Sequence, residues 1–180
     1  MRPFLRASLL SGAAMATGDA IQQSLGRDRA RRAGQARPEW SWPRTARFAG
    51  VGLAIHGPFF AWGFGVLDRR FPGKSLAPVL TKTALGQFTL FPTYLATALF
   101  ALAVLEGAPP AAAADRVGAA FPRAFAAGCV FWPAANLANF SLVPPGLGRV
   151  VYINAAATLW NCYLSLVEAD AGGKGEGRKG

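Results

Sequence analysis

The feature that most constrains this chain is a series of apolar stretches, each as long as a helix and nearly free of charge, joined by short basic loops. A helix crossing the roughly 30 Å hydrocarbon layer of a bilayer needs about 20 mostly apolar residues. The chain offers such stretches at about 4–25, 46–67, 78–105 and 121–143, with a last run at 148–167 that is also long enough to cross. Hydrophobic residues make up 52% of the 180 and charged residues 16%, where soluble domains carry roughly 25% charge. A soluble fold spreads charge over every exposed face. Here charge collects between the stretches, with seven arginines from Arg27 to Arg47. The expected fold is all-α: a multi-pass transmembrane helix bundle with four or five spans, forming one membrane domain over 1–170. The Gly-rich polar tail at 171–180 has no core to join and is expected to be disordered.

Composition also excludes function classes. A net charge of +10 could suggest nucleic acid, but that needs a soluble basic face with interleaved aromatics. Here the arginines sit in a Pro/Gly-broken loop and the aromatics in apolar segments, so no nucleic-acid partner is expected and anionic lipid headgroups fit better. Cys129 and Cys162 are the only cysteines and His56 the only histidine, too few for a disulfide framework or a His-based metal cluster. Gly73-Lys74-Ser75 resembles the end of a phosphate-binding loop, but Asp68 stands where its first glycine is required. No nucleophile elbow, paired carboxylates or dinucleotide loop is present. The chain is therefore expected to be no enzyme, with no catalytic residues, no metal site and no cofactor. Arg2 and Arg6 ahead of an apolar run resemble a signal peptide, but Asp19, Gln22 and Gln23 follow directly, which favours a retained first span. Lys and Arg counts place the Arg-rich first loop on the cytosol-like or matrix-like side.

Any chemistry should lie in the polar residues within the spans, because such groups are costly in hydrocarbon and usually face protein or water. Asp19, Gln22 and Gln23 share one helical face, as do Asn136 and Asn139 with Trp132 one turn earlier. Thr83 and Gln87 pair at i, i+4, and Asn154, Thr158, Asn161 and Ser165 form a stripe. His56 and Lys82 complete the set, Lys82 as a candidate internal partner for Asp19. These residues either line a water-accessible pathway or hold helices together by hydrogen bonds worth about 0.6–2 kcal/mol each.

The string FWPAANLANFSLVPPGLGRVVYINAAATLWNCYLS, Phe131 to Ser165, is specific beyond its hydrophobicity. With Gly18-Asp19, Gln22-Gln23, Arg47-Phe48, His56-Gly57-Pro58, Trp62, Leu67-Asp68-Arg69, Phe71-Pro72-Gly73, Lys82 and Gln87 in order, the chain resembles the twenty-two-kilodalton peroxisomal membrane protein family, which includes inner-mitochondrial members. The resemblance covers nearly the whole chain. It departs where the family carries an acidic residue before the glutamine of the third span, here Gly86, and the family's extra residues before the first span are largely missing.

The resemblance implies a small organellar membrane protein, four-helical as usually described, some of whose members form channels for small solutes bearing on organelle homeostasis. It implies no enzyme activity and no cofactor. On this reading Asp19, Gln22, Gln23, His56, Lys82, Gln87, Asn136, Asn139, Asn154 and Asn161 line a pore or pack helices, and Trp132, Pro133, Arg149 and Trp160 are architectural. The competing reading is a non-conducting structural or adaptor protein. The expected partners are the lipid bilayer, further copies of the chain in a homo-oligomer, and small solutes if it conducts. The mitochondrial inner membrane is the first expected location, with peroxisome and plastid as alternatives.

Overall fold

The computed structural model describes residues 2–160, which form five helices and no strands. They are α1 (Arg2–Arg32), α2 (Trp42–Arg70), α3 (Leu76–Leu105), α4 (Pro110–Leu142) and α5 (residues 147–160). The expected disordered tail, the end of the last apolar run, and Asn161, Cys162 and Ser165 lie outside the described residues. Contacts fix the directions. Asp19 meets Thr45 while Ser11 meets His56, so α1 and α2 are antiparallel. Asp68 meets Lys82, Gln87 meets Cys129, and Asn154 meets Ser11. The chain thus runs up and down, with α5 beside α1 and parallel to it.

Helix ends differ from the sequence reading in three places. The basic linker expected after residue 25 is helical to Arg32, since arginine is a good helix former and cations favour the last turn of a helix. The Ala/Pro-rich connection expected at 106–116 shrinks to the turn after Leu105, because alanine propagates a helix and Pro110 suits its first turn. The charged turn expected from Asp68 begins later: Asp68, Arg69 and Arg70 finish α2. Among the described helices, α2 and α3 are long and apolar enough to cross a membrane. The longer α1 and α4 are diluted, by arginines, serines and Asp19 in one and by Pro133, Asn136 and Asn139 in the other.

Both apolar helices contain one wide turn. A π turn spans Gly52–His56 ahead of Pro58, and another spans Gly86–Leu90 ahead of Pro92. Each closes by a bond to the fifth preceding residue, Gly57 N–H to the Gly52 carbonyl and Phe91 N–H to the Gly86 carbonyl. Proline lacks an amide and its ring clashes with the carbonyl four residues back; the added residue relieves that clash. In α2 the wide turn is bounded by glycines that meet α1 backbone to backbone. A Cβ on Gly57 would lie 2.5 Å from the Ala7 carbonyl oxygen, and one on Gly52 2.5 Å from that of Ser11. The apolar core, by contrast, gathers on the α2–α3 side, where Phe60, Phe64, Leu67, Val79 and Leu90 pack with Phe140 and Ile153.

Candidate functional site

The polar residues of the bundle fall into four groups arranged along its axis. The first joins α1 to the start of α2. Asp19 Oδ2 accepts hydrogen bonds from Thr45 Oγ1 (2.6 Å) and Gln23 Nε2 (2.7 Å), and Asp19 Oδ1 pairs with Arg44 Nε at 2.7 Å. Gln23 also accepts from the Ser41 amide, Gln22 accepts from Arg44, and the Ser41 hydroxyl caps α2. A carboxylate held at a helix N-terminus gains from the positive end of the helix dipole. Asp19 is therefore paired with Thr45 and Arg44 on α2 and with Gln23 on α1, and Lys82 is not among its partners.

The second group lies deeper. Ser11 on α1 is fully buried. Its hydroxyl contacts His56 Nδ1 on α2 at 3.3 Å and accepts from Asn154 Nδ2 on α5 at 2.9 Å. The His56 ring also packs on Phe60 and Tyr94, with centroids 4.7 and 5.0 Å away.

The third group closes the far end. Asp68 on α2 holds two cations, Lys82 Nζ of α3 at 3.1 Å and Arg149 Nε of α5 at 3.2 Å. Both cations lie over the Phe140 ring of α4, at 5.3 and 4.7 Å from its centroid. Lys82 also donates to the carbonyl of Gly73, whose φ of +95° brings that turn back over the helix ends. Lys82 and Arg149 are each 1% exposed. This group lies about 35 Å from the Asp19 group, measured along α2 at 1.5 Å per residue.

The fourth group is the seam between α3 and α4, and it is chemically different. Thr83, Gln87, Asn136 and Asn139 are all buried. Thr83 Oγ1, Gln87 Oε1, Asn136 Oδ1 and both side-chain polar atoms of Asn139 have no hydrogen-bond partner among the described residues. Gln87 Nε2 reaches only the Cys129 sulfur, at 3.2 Å, a weak acceptor. Gly86, where the family carries a carboxylate, faces this seam: a Cβ there would lie 3.8 Å from Asn136 Nδ2.

Beside the seam, residues of all five helices line a cavity of about 300 Å³. Its walls are mostly aliphatic and aromatic, with His56 and Asn136 among the few polar residues. Met15, Phe48 and Ala157 also border a pocket of about 30 Å³ that reaches Asp19 and Gln22. The residues expected to be architectural frame the cavity from α4 and α5. Trp132 packs on Phe91 and Phe131, Trp160 stacks on Phe131 at 4.7 Å, and Pro133 sits inside α4. Arg149 instead belongs to the charged group around Asp68.

Known proteins were compared with this chain. The sequence model of the Mpv17 / PMP22 family matches residues 103–165. Protein sym1 of Aspergillus oryzae is 31% identical over 169 residues, covering 93% of this chain and 92% of that protein. The mitochondrial inner membrane protein Mpv17 of Bos taurus is 34% identical over 157 residues, 87% of this chain and 85% of its own length. The human protein of the same name is 31% identical over the same shares. The chain belongs to the Mpv17 / PMP22 family. Like the relatives so named, it is an organellar membrane protein, of the mitochondrial inner membrane. No solved structure matches it.

Membership explains an inversion that would be untenable in water. In this Mpv17 / PMP22 chain the buried residues include Asp19, Lys82, Asn139 and Arg149, while Phe88, Val130, Leu142 and Leu159 are more than two-thirds exposed. Large apolar surface of this kind marks contact with lipid or protein. Sequence reasoning missed four partners that organise the polar groups: Ser11, Arg44, Thr45 and Asp68. Ser11 and Thr45 are small hydroxyls in Ala- and Arg-containing segments. Arg44 and Asp68 read as loop charges because the helix ends were placed inside them.

Proposed function

We propose that this chain is a non-catalytic channel for small solutes in the mitochondrial inner membrane, seen closed, with its path along the α3–α4 seam. The observation that supports this reading is the row Thr83, Gln87, Asn136 and Asn139, whose buried side-chain oxygens lack hydrogen-bond partners among the described residues. A buried polar atom without a partner costs about 1–3 kcal/mol, so a seam holding several of them is poorly explained as structural glue. Water or a polar solute entering the seam would satisfy every one. All five helices cross the bilayer in this reading. The Asp19 and Asp68 groups lie about 35 Å apart along α2, which matches a hydrocarbon layer of roughly 30 Å with its charged borders. Between them the small pocket at Asp19, the central cavity and the seam follow one another, interrupted by aromatic side chains. Apolar constrictions of that kind close channels by excluding water. Further copies in a homo-oligomer would cover the exposed apolar faces alongside lipid.

The competing structural or adaptor role draws support from a different set of residues. Asp19, Gln23 and Asn154 each bond across a helix interface, which is what helix glue requires. Single-channel recording of the purified full chain in planar bilayers separates the two. Discrete openings are expected from the native protein, changed several-fold in conductance by Asn136→Leu/Asn139→Leu and little changed by Asn154→Leu. Silence from folded, inserted protein would sink the channel reading and leave the structural role.

A further inference from the structure

We infer that the central cavity is a binding site for a small, uncharged, largely apolar ring compound carrying one hydroxyl, the chemistry of an alkylated phenol. At about 300 Å³ the cavity is at the lower end of the range for ligand pockets, which are mostly apolar with a few placed polar groups. Its walls suit an aromatic guest: Phe60, Phe64 and Tyr94 on one side, Phe91, Trp132 and Trp160 on the other. Flat rings pack favourably against such walls in offset or edge-to-face arrangements.

The polar complement is small and specific. Asn136 is 6% exposed and lines the cavity; its Oδ1 is sealed from that space, which leaves the amide Nδ2, unbonded among the described residues, as the atom that can meet an occupant. A phenol oxygen accepting from that amide would give a buried donor a hydrogen bond that it does not make to protein. His56 stands on the cavity wall with Nδ1 engaged by Ser11, leaving Nε2 as the ring nitrogen able to meet a guest. Among the described residues no Asp, Glu, Lys or Arg borders the cavity, so a charged guest would lose its hydration without compensation. Guest binding does not require that the chain conduct. That an occupied cavity blocks current does rest on the channel reading.

The test uses the full chain in lipid nanodiscs and an alkylphenol carrying a photoreactive diazirine, with 2,6-diisopropylphenol as competitor and 1,3-diisopropylbenzene as the analogue lacking the hydroxyl. Labelled residues are mapped by mass spectrometry. Labelling is expected on cavity-wall residues of α3 and α4 and should be competed away by the phenol. Asn136→Leu should weaken competition by the phenol about tenfold, the value of one hydrogen bond from a buried amide, and leave the hydrocarbon within twofold. Ala98→Trp, which fills the cavity from α3, should abolish both. Uncompeted labelling scattered over lipid-facing residues would overturn the site, and so would an equal effect of Asn136→Leu on phenol and hydrocarbon. Recording in the same preparation keeps the two proposals apart. Site-directed labelling without any current defeats the channel reading alone, and current without site-directed labelling defeats the ligand site alone.

Discussion

The two halves of the bundle treat buried polar groups in opposite ways. Where α1 meets α2 and α5, Asp19, Gln23, Ser11 and Asn154 all bond to neighbouring helices, and glycines let the backbones touch. Where α3 meets α4, Thr83, Gln87, Asn136 and Asn139 are just as buried and mostly unbonded. Both halves contain amides and hydroxyls at helical spacing, so polarity alone says nothing about role. What distinguishes them is whether the partner is protein. The first half is a frame in which Gln23, Ser11 and Asn154 bond across helix interfaces. The second keeps its bonding capacity free, which is what a path for solutes or a ligand site needs.

The comparison predicts a hierarchy of mutational effects. The largest belongs to the charged group that pins the halves together. Asp68→Leu leaves Lys82 and Arg149 buried with no counter-charge, and breaking a buried pair in this way costs about 3–5 kcal/mol. Thermal unfolding in detergent should show a large loss of stability, while Arg69→Leu, on the next residue of the same helix, should show little. Similar losses from both would mean that Asp68 holds nothing specific.

Next comes the frame itself. Gly57→Leu drives a side chain into the backbone of α1 at Ala7 and Ser8, where a main chain cannot step aside as a side-chain tip can. Overpacking costs about 1–3 kcal/mol, and the upper end is expected here. At Gly50 of the same helix a Cβ meets nothing within 4 Å, so Gly50→Leu should be tolerated. Equal tolerance at both positions would show that α1 and α2 are not in close contact.

Much of this frame was legible in the chain and much was not. Apolar runs separated by basic loops, or by Pro144-Pro145 before the last, marked out every described helix, because a span must be long and largely uncharged. The polar faces on α1, α4 and α5 were legible from their spacing, since residues three and four apart share a face. Which faces would be satisfied was not legible. That depends on partners distant in the chain: Asn154 bonds Ser11, and Arg149 finds Asp68 across most of the sequence. Lys82 and Asp19 are the plainest case. Two opposite charges within spans suggested each other, yet the alternating direction of the helices sets them at opposite ends, with Asp68 and Arg44 as their partners. The wide turns were also hidden. The spacing from Gly52 to Pro58 equals that from Gly86 to Pro92, but a proline by itself announces only a disturbance of the helix.

A smaller effect tests the hydrogen bonds of the frame one at a time. Ser11→Ala removes the hydroxyl that His56 and Asn154 share, while Asn154 keeps the Val150 carbonyl as a partner. A loss of about 1 kcal/mol is expected, measurable as a fall of a few degrees in the unfolding midpoint. Ser11→Thr adds only a methyl group to a fully buried site and should separate packing from bonding: a larger loss for threonine than for alanine would mean that space at Ser11 matters more than its hydrogen bonds.

The smallest expected effect on stability is the most informative. Asn139→Leu replaces a fully buried side chain whose two polar atoms have no partner among the described residues with an apolar one of similar size. Removing unsatisfied polar groups is close to neutral or stabilising, so the unfolding midpoint should stay within about a degree or rise. In the frame the same exchange, Asn154→Leu, should cost about 1–2 kcal/mol, since an interhelical bond is lost. If Asn139→Leu destabilises as much as Asn154→Leu, Asn139 has a structural partner and the two halves are alike. If it leaves stability intact but alters conductance, then its amide serves what passes through the seam rather than the seam itself.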